Sequence, residues 1–186
     1  MKRRIGKVVT RTGDDGTTGL ATGARLSKSA PRIHAIGEID ELNAYIGLLR
    51  ALLPDMETLA EIQQQLFNIG GELAMADGSK LLTEPVLLAL ENDVAELNEP
   101  LPPLTEFILP AGGECAARCH LARAVARRAE RQWIALAECD DERDTLNPLS
   151  GRYLNRLSDY FFVLARLQAE DSSQWRGTER PKHSSP

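Results

Sequence analysis

Two segments far apart in the chain carry the residue types that grip a polyphosphate. The first is Thr10-Arg11-Thr12-Gly13-Asp14-Asp15-Gly16-Thr17-Thr18, rich in hydroxyls and glycine. The second contains Arg123, Arg127, Arg128, Glu130 and Arg131. Glycines let backbone N–H groups approach an anion, hydroxyls donate to phosphate oxygens, and guanidinium groups bind them in a fork. Lys28 and Arg32 lie just downstream of the first segment, and a lysine is a good point charge for phosphate. On a helix Arg123, Arg127, Glu130 and Arg131 share one face, while Arg128 points elsewhere. Such a stripe repels itself unless an anion or a partner carboxylate sits beside it. Each segment also has a plainer reading. The first is a hydrophilic turn and the second a solvated charged face with Glu130 paired to an arginine one turn away.

Other constellations are weaker. Asn155, Asp159, Phe162 and Arg166 line one stripe of a late helix. Asn155 suits an adenine or ribose edge and Asp159 suits orienting an arginine, or the stripe is an ordinary polar face. Asp40 and Glu41 fall in the largely apolar stretch 37–43. A buried carboxylate there needs a cation, and Arg123 is the kind of residue to supply it. Cys115 and Cys119-His120 stand at helical spacing but lack a second Cys/His pair to complete a metal site. The chain has no Gly-Lys-Ser/Thr of a Walker A loop, no Glu-x-x-His and no nucleophile elbow. His34 and His183 have no evident partners, and His120 either lies near the anion site or packs.

These groups need elements to position them. Residues 1–31 show no sustained period and read as a loop or extended arm. Ile36, Ile39, Leu42 or Asn43, Ile46, Leu49 and Leu53 recur at helical spacing from Arg32 until Pro54. Asp55 is placed to cap a second helix with the stripe Leu59, Ile62, Leu66, Ile69 and Leu73. Gly70-Gly71 within it marks a bend or a close contact. A third helix runs from Glu84 to about Asn98. Prolines 100, 102, 103 and 110 keep residues 99–113 out of a helix. The fourth helix spans about 114–138, with Ala122, Ala126, Ala129, Trp133 and Leu136 inward. The fifth covers about 145–170, with Leu154, Leu157, Phe161 and Leu164 inward. The expected fold is all-α, an antiparallel five-helix bundle with an extended N-terminal arm, in one domain over 1–170. Residues 171–186 read as a disordered tail.

Composition narrows the class. Hydrophobic content of 42% with 26% charge is ordinary for a globular protein. The net charge of -5 argues against nucleic acid, yet residues 1–34 carry +6, leaving -11 for the rest. A basic arm on an acidic body suits a local anionic ligand. Three cysteines and no apolar signal core or spanning run point to a reduced, cytoplasmic setting without a membrane.

The blocks 10–18, 37–43, 107–113, 120–131 and 153–160, in that order, resemble the successive signatures of PduO-type ATP:cob(I)alamin adenosyltransferases, over about residues 7–168. The resemblance implies a homotrimer with active sites at subunit interfaces. It implies transfer of the 5′-deoxyadenosyl group from ATP to the cobalt of reduced cobalamin, with tripolyphosphate leaving. Thr10, Arg11, Thr12, Gly13, Thr17, Thr18 and Lys28 would carry nucleotide contacts on an arm that folds over ATP. Arg127, Arg128, Glu130, Arg131 and Asn155 would meet ATP and its Mg²⁺ from the fourth and fifth helices, with no dedicated protein metal site. Arg123 and Asp40 match a pair bridging neighbouring subunits, and Phe107 matches the aromatic that closes the lower face of the corrin. Partners implied are a cobalamin reductase and an adenosylcobalamin-dependent acceptor enzyme. Asp14 and Asp15 depart from a pattern of one acid and a lysine, so Asp15 is expected to weaken phosphate attraction slightly. Two other readings remain: another ATP-dependent transferase, or a corrinoid and ATP carrier without catalysis.

Overall fold

Leucine, isoleucine and alanine at helical spacing, interrupted by proline, divide this chain into long rods with one apolar face each. The computed structural model describes residues 9–171 and 174–175. The order is β1 (Thr17–Gly19), β2 (Arg25–Ser27), α1 (Pro31–Leu52), α2 (Glu57–Met75), α3 (Glu84–Asn98), α4 (Gly113–Ala137), a 3-10 turn (Arg143–Thr145) and α5 (Pro148–Leu167). The five helices are the ones expected from periodicity. The first eight residues of the expected arm, His183 and most of the expected tail lie outside the described residues.

Pro31 occupies the first turn of α1, where a missing N–H costs nothing. Leu53 ends it before Pro54. Cross-helix contacts fix directions. Asn43 and Gln63 exchange side-chain-to-backbone hydrogen bonds at 3.2 and 2.9 Å, so α1 and α2 run antiparallel with Arg32 bonded to Leu73 O at their other ends. Arg128 of α4 meets Glu38 of α1, while Arg32 reaches Glu142 beyond the end of α4. Asn155 of α5 meets Glu130 of α4, while Glu170 N donates to Gly112 O at the start of α4. α3 runs parallel to α5, bonded through Glu91–Arg156 and Asn98–Arg166. The helices therefore alternate up and down along the chain. α4 sits between α1 and α5, and its Ala122, Ala126 and Ala129 are fully buried. Small side chains let three helix backbones come close at that seam. Gly151 of α5 completes it, because a Cβ there would lie 2.6 Å from the Trp133 ring.

Two polar knots hold one end of the bundle, where α1 and α5 begin and α2 ends. Glu72 is buried and accepts from Leu82 N at 2.8 Å, Asn147 Nδ2 at 2.9 Å, Leu81 N and Ser150 Oγ. Asn147 also caps α5 by accepting from Leu149 N. Arg32 is 1% exposed. It donates to Leu73 O at 2.8 Å, to Thr145 Oγ1 at 2.6 Å and to Glu142. Its place downstream of the arm suggested a phosphate ligand, but its guanidinium is used inside the protein.

Three local expectations change. The arm is not wholly extended, since β1 and β2 pair antiparallel with Thr18 opposite Leu26. Asp55 does not cap α2. The turn after Pro54 closes with Met56 N on Leu53 O at 3.2 Å, and Met56 becomes the N-cap. Gly70-Gly71 does not interrupt α2; Gly71 instead lies under Leu81, whose Cδ1 would be 3.5 Å from an added Cβ.

Candidate functional site

The arm folds around its own hydroxyls. Asp15 Oδ1 accepts from Thr17 N at 2.9 Å and from Thr17 Oγ1 at 2.7 Å. These bonds, with a smaller contribution from the Arg25 charge, hold the Asp15 carboxyl below its usual range. Asp15 thus builds the loop through Thr17. Arg25 donates to Thr17 Oγ1 and to Thr12 O across the hairpin. Thr10 and Thr12 share a hydroxyl hydrogen bond at 3.0 Å, and Arg11 takes a left-handed backbone at φ 61. Lys28 Nζ donates to Gly13 O at 2.8 Å. A side chain at Gly13 would crowd the loop, because a Cβ would lie 3.0 Å from Thr17 O and 3.2 Å from Lys28 Nζ. The loop root is fixed by Ala21 N on Ala74 O at 2.9 Å, at the end of α2.

The α4 face is differently arranged. Arg127 and Arg131 are exposed. Arg131 donates to Arg127 O at 3.1 Å, and neither guanidinium has a carboxylate partner among the described residues. Glu130, between them in sequence, accepts from Asn155 Nδ2 at 2.8 Å. Asn155 Oδ1 accepts from Arg156, which donates to Glu91 Oε1 at 2.8 Å. Arg128, expected among the nucleotide contacts, instead lies off this stripe and bonds both Glu38 and Glu41. Those bonds raise its already high pKa further.

A cavity of about 490 Å³ opens beside α4, lined by Leu104, Phe107, Ile108, His120, Arg123 and Phe162 among others. Phe107 is 78% exposed. Its ring stands edge-on to Trp175 with centroids 6.4 Å apart, and Trp175 N donates to Phe107 O at 2.8 Å. Ile108 pairs with Gln174. These described residues beyond 170 lie against the Phe107 loop, where sequence suggested a tail without a role. Arg123 Nε is buried with no partner among the described residues. Asp40 is exposed and forms no ion pair among the described residues.

Glu130 and Asn155 therefore meet at the α4–α5 seam, Arg127 and Arg131 flank Glu130 on the exposed side of α4, and Phe107 and Arg123 both line the cavity. Thr10, Thr12, Gly13, Thr17, Thr18 and Lys28 cluster in the arm. No hydrogen bond or ion pair among the described residues joins the arm to Arg127 or Arg131 within one chain. Sequence reasoning missed Arg25, Arg156 and Trp175. Arg25 reaches Thr17 through hairpin pairing, and a hairpin this short leaves no alternating pattern to read. Arg156 acts through Asn155, and Trp175 stands outside every periodic segment. Among the described residues no group of three His, Cys, Asp or Glu side chains is placed to hold a metal. Burial pushes the Cys119 thiol up to about 12, the behaviour of a packed rather than ligating sulfur. No helix among the described residues is long and apolar enough to cross a membrane.

Comparison with known proteins places the chain in a family. A family model described as cobalamin adenosyltransferase matches residues 8–168. A cobalamin adenosyltransferase of Cupriavidus metallidurans is 47% identical over 172 residues, covering 90% of each chain. A corrinoid adenosyltransferase of Bacillus subtilis is 44% identical over 170 residues, 87% of this chain and 86% of that one. A variant PduO-type ATP:corrinoid adenosyltransferase from Lactobacillus reuteri, complexed with cobalamin and ATP, superposes with a TM-score of 0.83 at 34% identity. The match covers 92% of this chain and 100% of that one. The chain belongs to the cobalamin adenosyltransferase family.

Proposed function

We propose that the chain transfers the 5′-deoxyadenosyl group of ATP to the cobalt of cob(I)alamin, giving adenosylcobalamin and tripolyphosphate. The family supports the reaction, and one observation carries the residue assignment. Arg127 and Arg131 have no carboxylate partner among the described residues, and Asn155 holds the adjacent Glu130. Two such guanidinium groups on one helix turn are a site for an anion.

The chemistry asks for little covalent help. The cobalt(I) electron pair forms the bond to C5′, and the C5′–O bond breaks with its electrons passing to the triphosphate. Cobalt is thereby oxidised from the +1 to the +3 state. Charge grows on the leaving oxygen, so fixed cations placed there lower the barrier. Arg127 takes that role, with Arg131 and Lys28 on the remaining phosphates. Lys28 rests on a neutral carbonyl at Gly13. A phosphate oxygen is the stronger acceptor, and exchanging one for the other would clamp the arm over ATP. Thr10, Arg11, Thr12, Thr17 and Thr18 supply further donors. The described residues form no metal cage. A Mg²⁺ bound to the triphosphate needs few protein ligands, and Glu130 is the carboxylate beside the arginines to meet it. When bound, Mg²⁺ offsets phosphate charge.

Phe107 would cover the lower face of the corrin and exclude water and the lower nitrogenous ligand. The rest of the work is geometric, holding C5′ in line with cobalt. The buried Arg123 Nε and the exposed Asp40, neither with a partner among the described residues, support a pair formed between subunits, in a homotrimer with interfacial sites. A cytoplasmic setting, a reductase supplying cob(I)alamin and an enzyme accepting the product complete the reading.

Incubation with ATP, Mg²⁺ and chemically reduced cobalamin tests it. The expected result is tripolyphosphate together with the absorbance of a new carbon–cobalt bond. Release of ADP or phosphate, or corrinoid binding without a new bond, would contradict it.

A further inference from the structure

His120 stands apart from the residues used so far. It is 6% exposed, and its Nδ1 is buried with no hydrogen-bond partner among the described residues. Its ring lines the cavity that contains Phe107 and Phe162, and also a second cavity of about 380 Å³ toward Arg166. The Phe162 ring lies 6.4 Å away. No hydrogen bond to His120 is formed by any described side chain, so the ring's accessible edge faces these cavities.

The tautomer follows from burial. Loss of water and the Arg123 charge hold His120 below the ordinary histidine pKa of 6.5, so the ring is neutral at neutral pH. A neutral imidazole carries one N–H. A buried N–H without an acceptor is the rarer and costlier defect, whereas a bare lone pair is tolerated. Nδ1 is therefore the bare nitrogen and Nε2 bears the proton. That leaves a neutral donor on a ring bordering a cavity whose lining combines Leu104, Phe107, Ile108 and Phe162 with the charged Glu106 and Arg123.

Such a donor fits a neutral carbonyl on the edge of a large, flat, otherwise apolar ligand. A corrin has that character, with carboxamide groups around its rim. We propose that His120 donates its Nε2–H to a carboxamide carbonyl on the corrin rim, making it a binding residue that sets how the corrinoid sits against Phe107. The inference rests on the reading of cob(I)alamin as substrate. It adds a polar contact inside the cavity and makes His120 a determinant of corrinoid rather than nucleotide affinity.

Two variants and one spectrum test it on the assembled protein. His120→Phe keeps a flat ring and removes the donor, and His120→Gln keeps an N–H. Affinity for cob(II)alamin in the presence of ATP is read by absorbance, and KM is measured for each substrate. His120→Phe is expected to weaken corrinoid binding about five- to tenfold, the loss of one hydrogen bond, with the KM for ATP unchanged. His120→Gln should recover most of that loss. Equal corrinoid affinity in wild type and His120→Phe would overturn the proposal. So would parallel losses for both substrates without recovery by glutamine, the pattern of a packing role. Nitrogen NMR of the wild-type imidazole needs no substitution. It should show the Nε2–H form shifting when adenosylcobalamin is added; an Nδ1–H form, or no shift with bound corrinoid, would overturn it. A wild-type chain that binds corrinoid yet forms no carbon–cobalt bond would sink the proposed reaction and leave the His120 contact standing. Normal turnover with unchanged affinity in His120→Phe would remove only the contact.

Discussion

Asn155 Nδ2 donates to Glu130 Oε1 at 2.8 Å across the α4–α5 seam. The bond keeps the Glu130 carboxylate from turning toward Arg127, one helix turn earlier, where it would otherwise form the usual surface pair. Asn155 is itself held by Arg156, and Arg156 by Glu91. The positive face of α4 is thus maintained by a relay that begins on α3.

Releasing that restraint should weaken nucleotide binding. Asn155→Ala frees Glu130 to neutralise Arg127 or Arg131 and also deletes an amide beside the site. The expected result is a KM for ATP raised about tenfold, roughly the value of a charge-assisted hydrogen bond, with the KM for cob(I)alamin little changed. Substrate titrations at fixed cob(I)alamin check this.

Neighbouring arginines should give opposite phenotypes. Arg127→Ala is expected to lower kcat by about a hundredfold or more, as removal of a charge-stabilising donor does, with the melting temperature unchanged. Arg128→Ala removes the bonds to Glu38 and Glu41. Because Arg128 is 38% exposed, solvent screening limits the stability loss to about 1 kcal/mol. Its kcat should stay near wild type. Denaturant melts and turnover on both variants separate the two roles.

Phe107 is 78% exposed and held by the Trp175 backbone, so its ring stabilises the fold little. Phe107→Ala should slow turnover about tenfold or more when cob(II)alamin and a reducing partner are supplied, and much less with pre-formed cob(I)alamin. Equal slowing under both conditions would remove the lower-face role.

Stability should fall on acidification through His120. Its folded pKa lies below the ordinary 6.5 because of burial and Arg123. The unfolded chain therefore binds more protons than the folded one in that range, and stability declines as the pH drops through 6.5 toward the folded value. Glu106, Arg166, Glu170 and Asp171 also face the two cavities. His120→Gln should flatten the pH dependence of the melting temperature between about pH 5 and 7; an identical slope in the variant would contradict the assignment.

Helix identity was legible because burial follows a period of about 3.6 residues. Leu59, Ile62, Leu66, Ile69 and Leu73 are all buried, as their spacing requires. The sharing of one face by Arg127, Glu130 and Arg131 was legible for the same reason. What Glu130 bonds was not, since Asn155 lies 25 residues away. Arg32 was misread because a charged residue beside a basic arm looks solvent-facing. Its partner Glu142 is 110 residues distant in a turn of no period. The function of Asp15 was hidden in the same way, since its hydrogen bonds to Thr17 depend on the loop's backbone path.

The most direct test of the central claim is the structure of the assembled protein with ATP and Mg²⁺ bound. The expected result is a triphosphate in contact with Arg127 and Arg131, covered by the arm with Lys28 Nζ moved from Gly13 O to a phosphate oxygen. A triphosphate bound away from α4, with Lys28 still on Gly13, would contradict it.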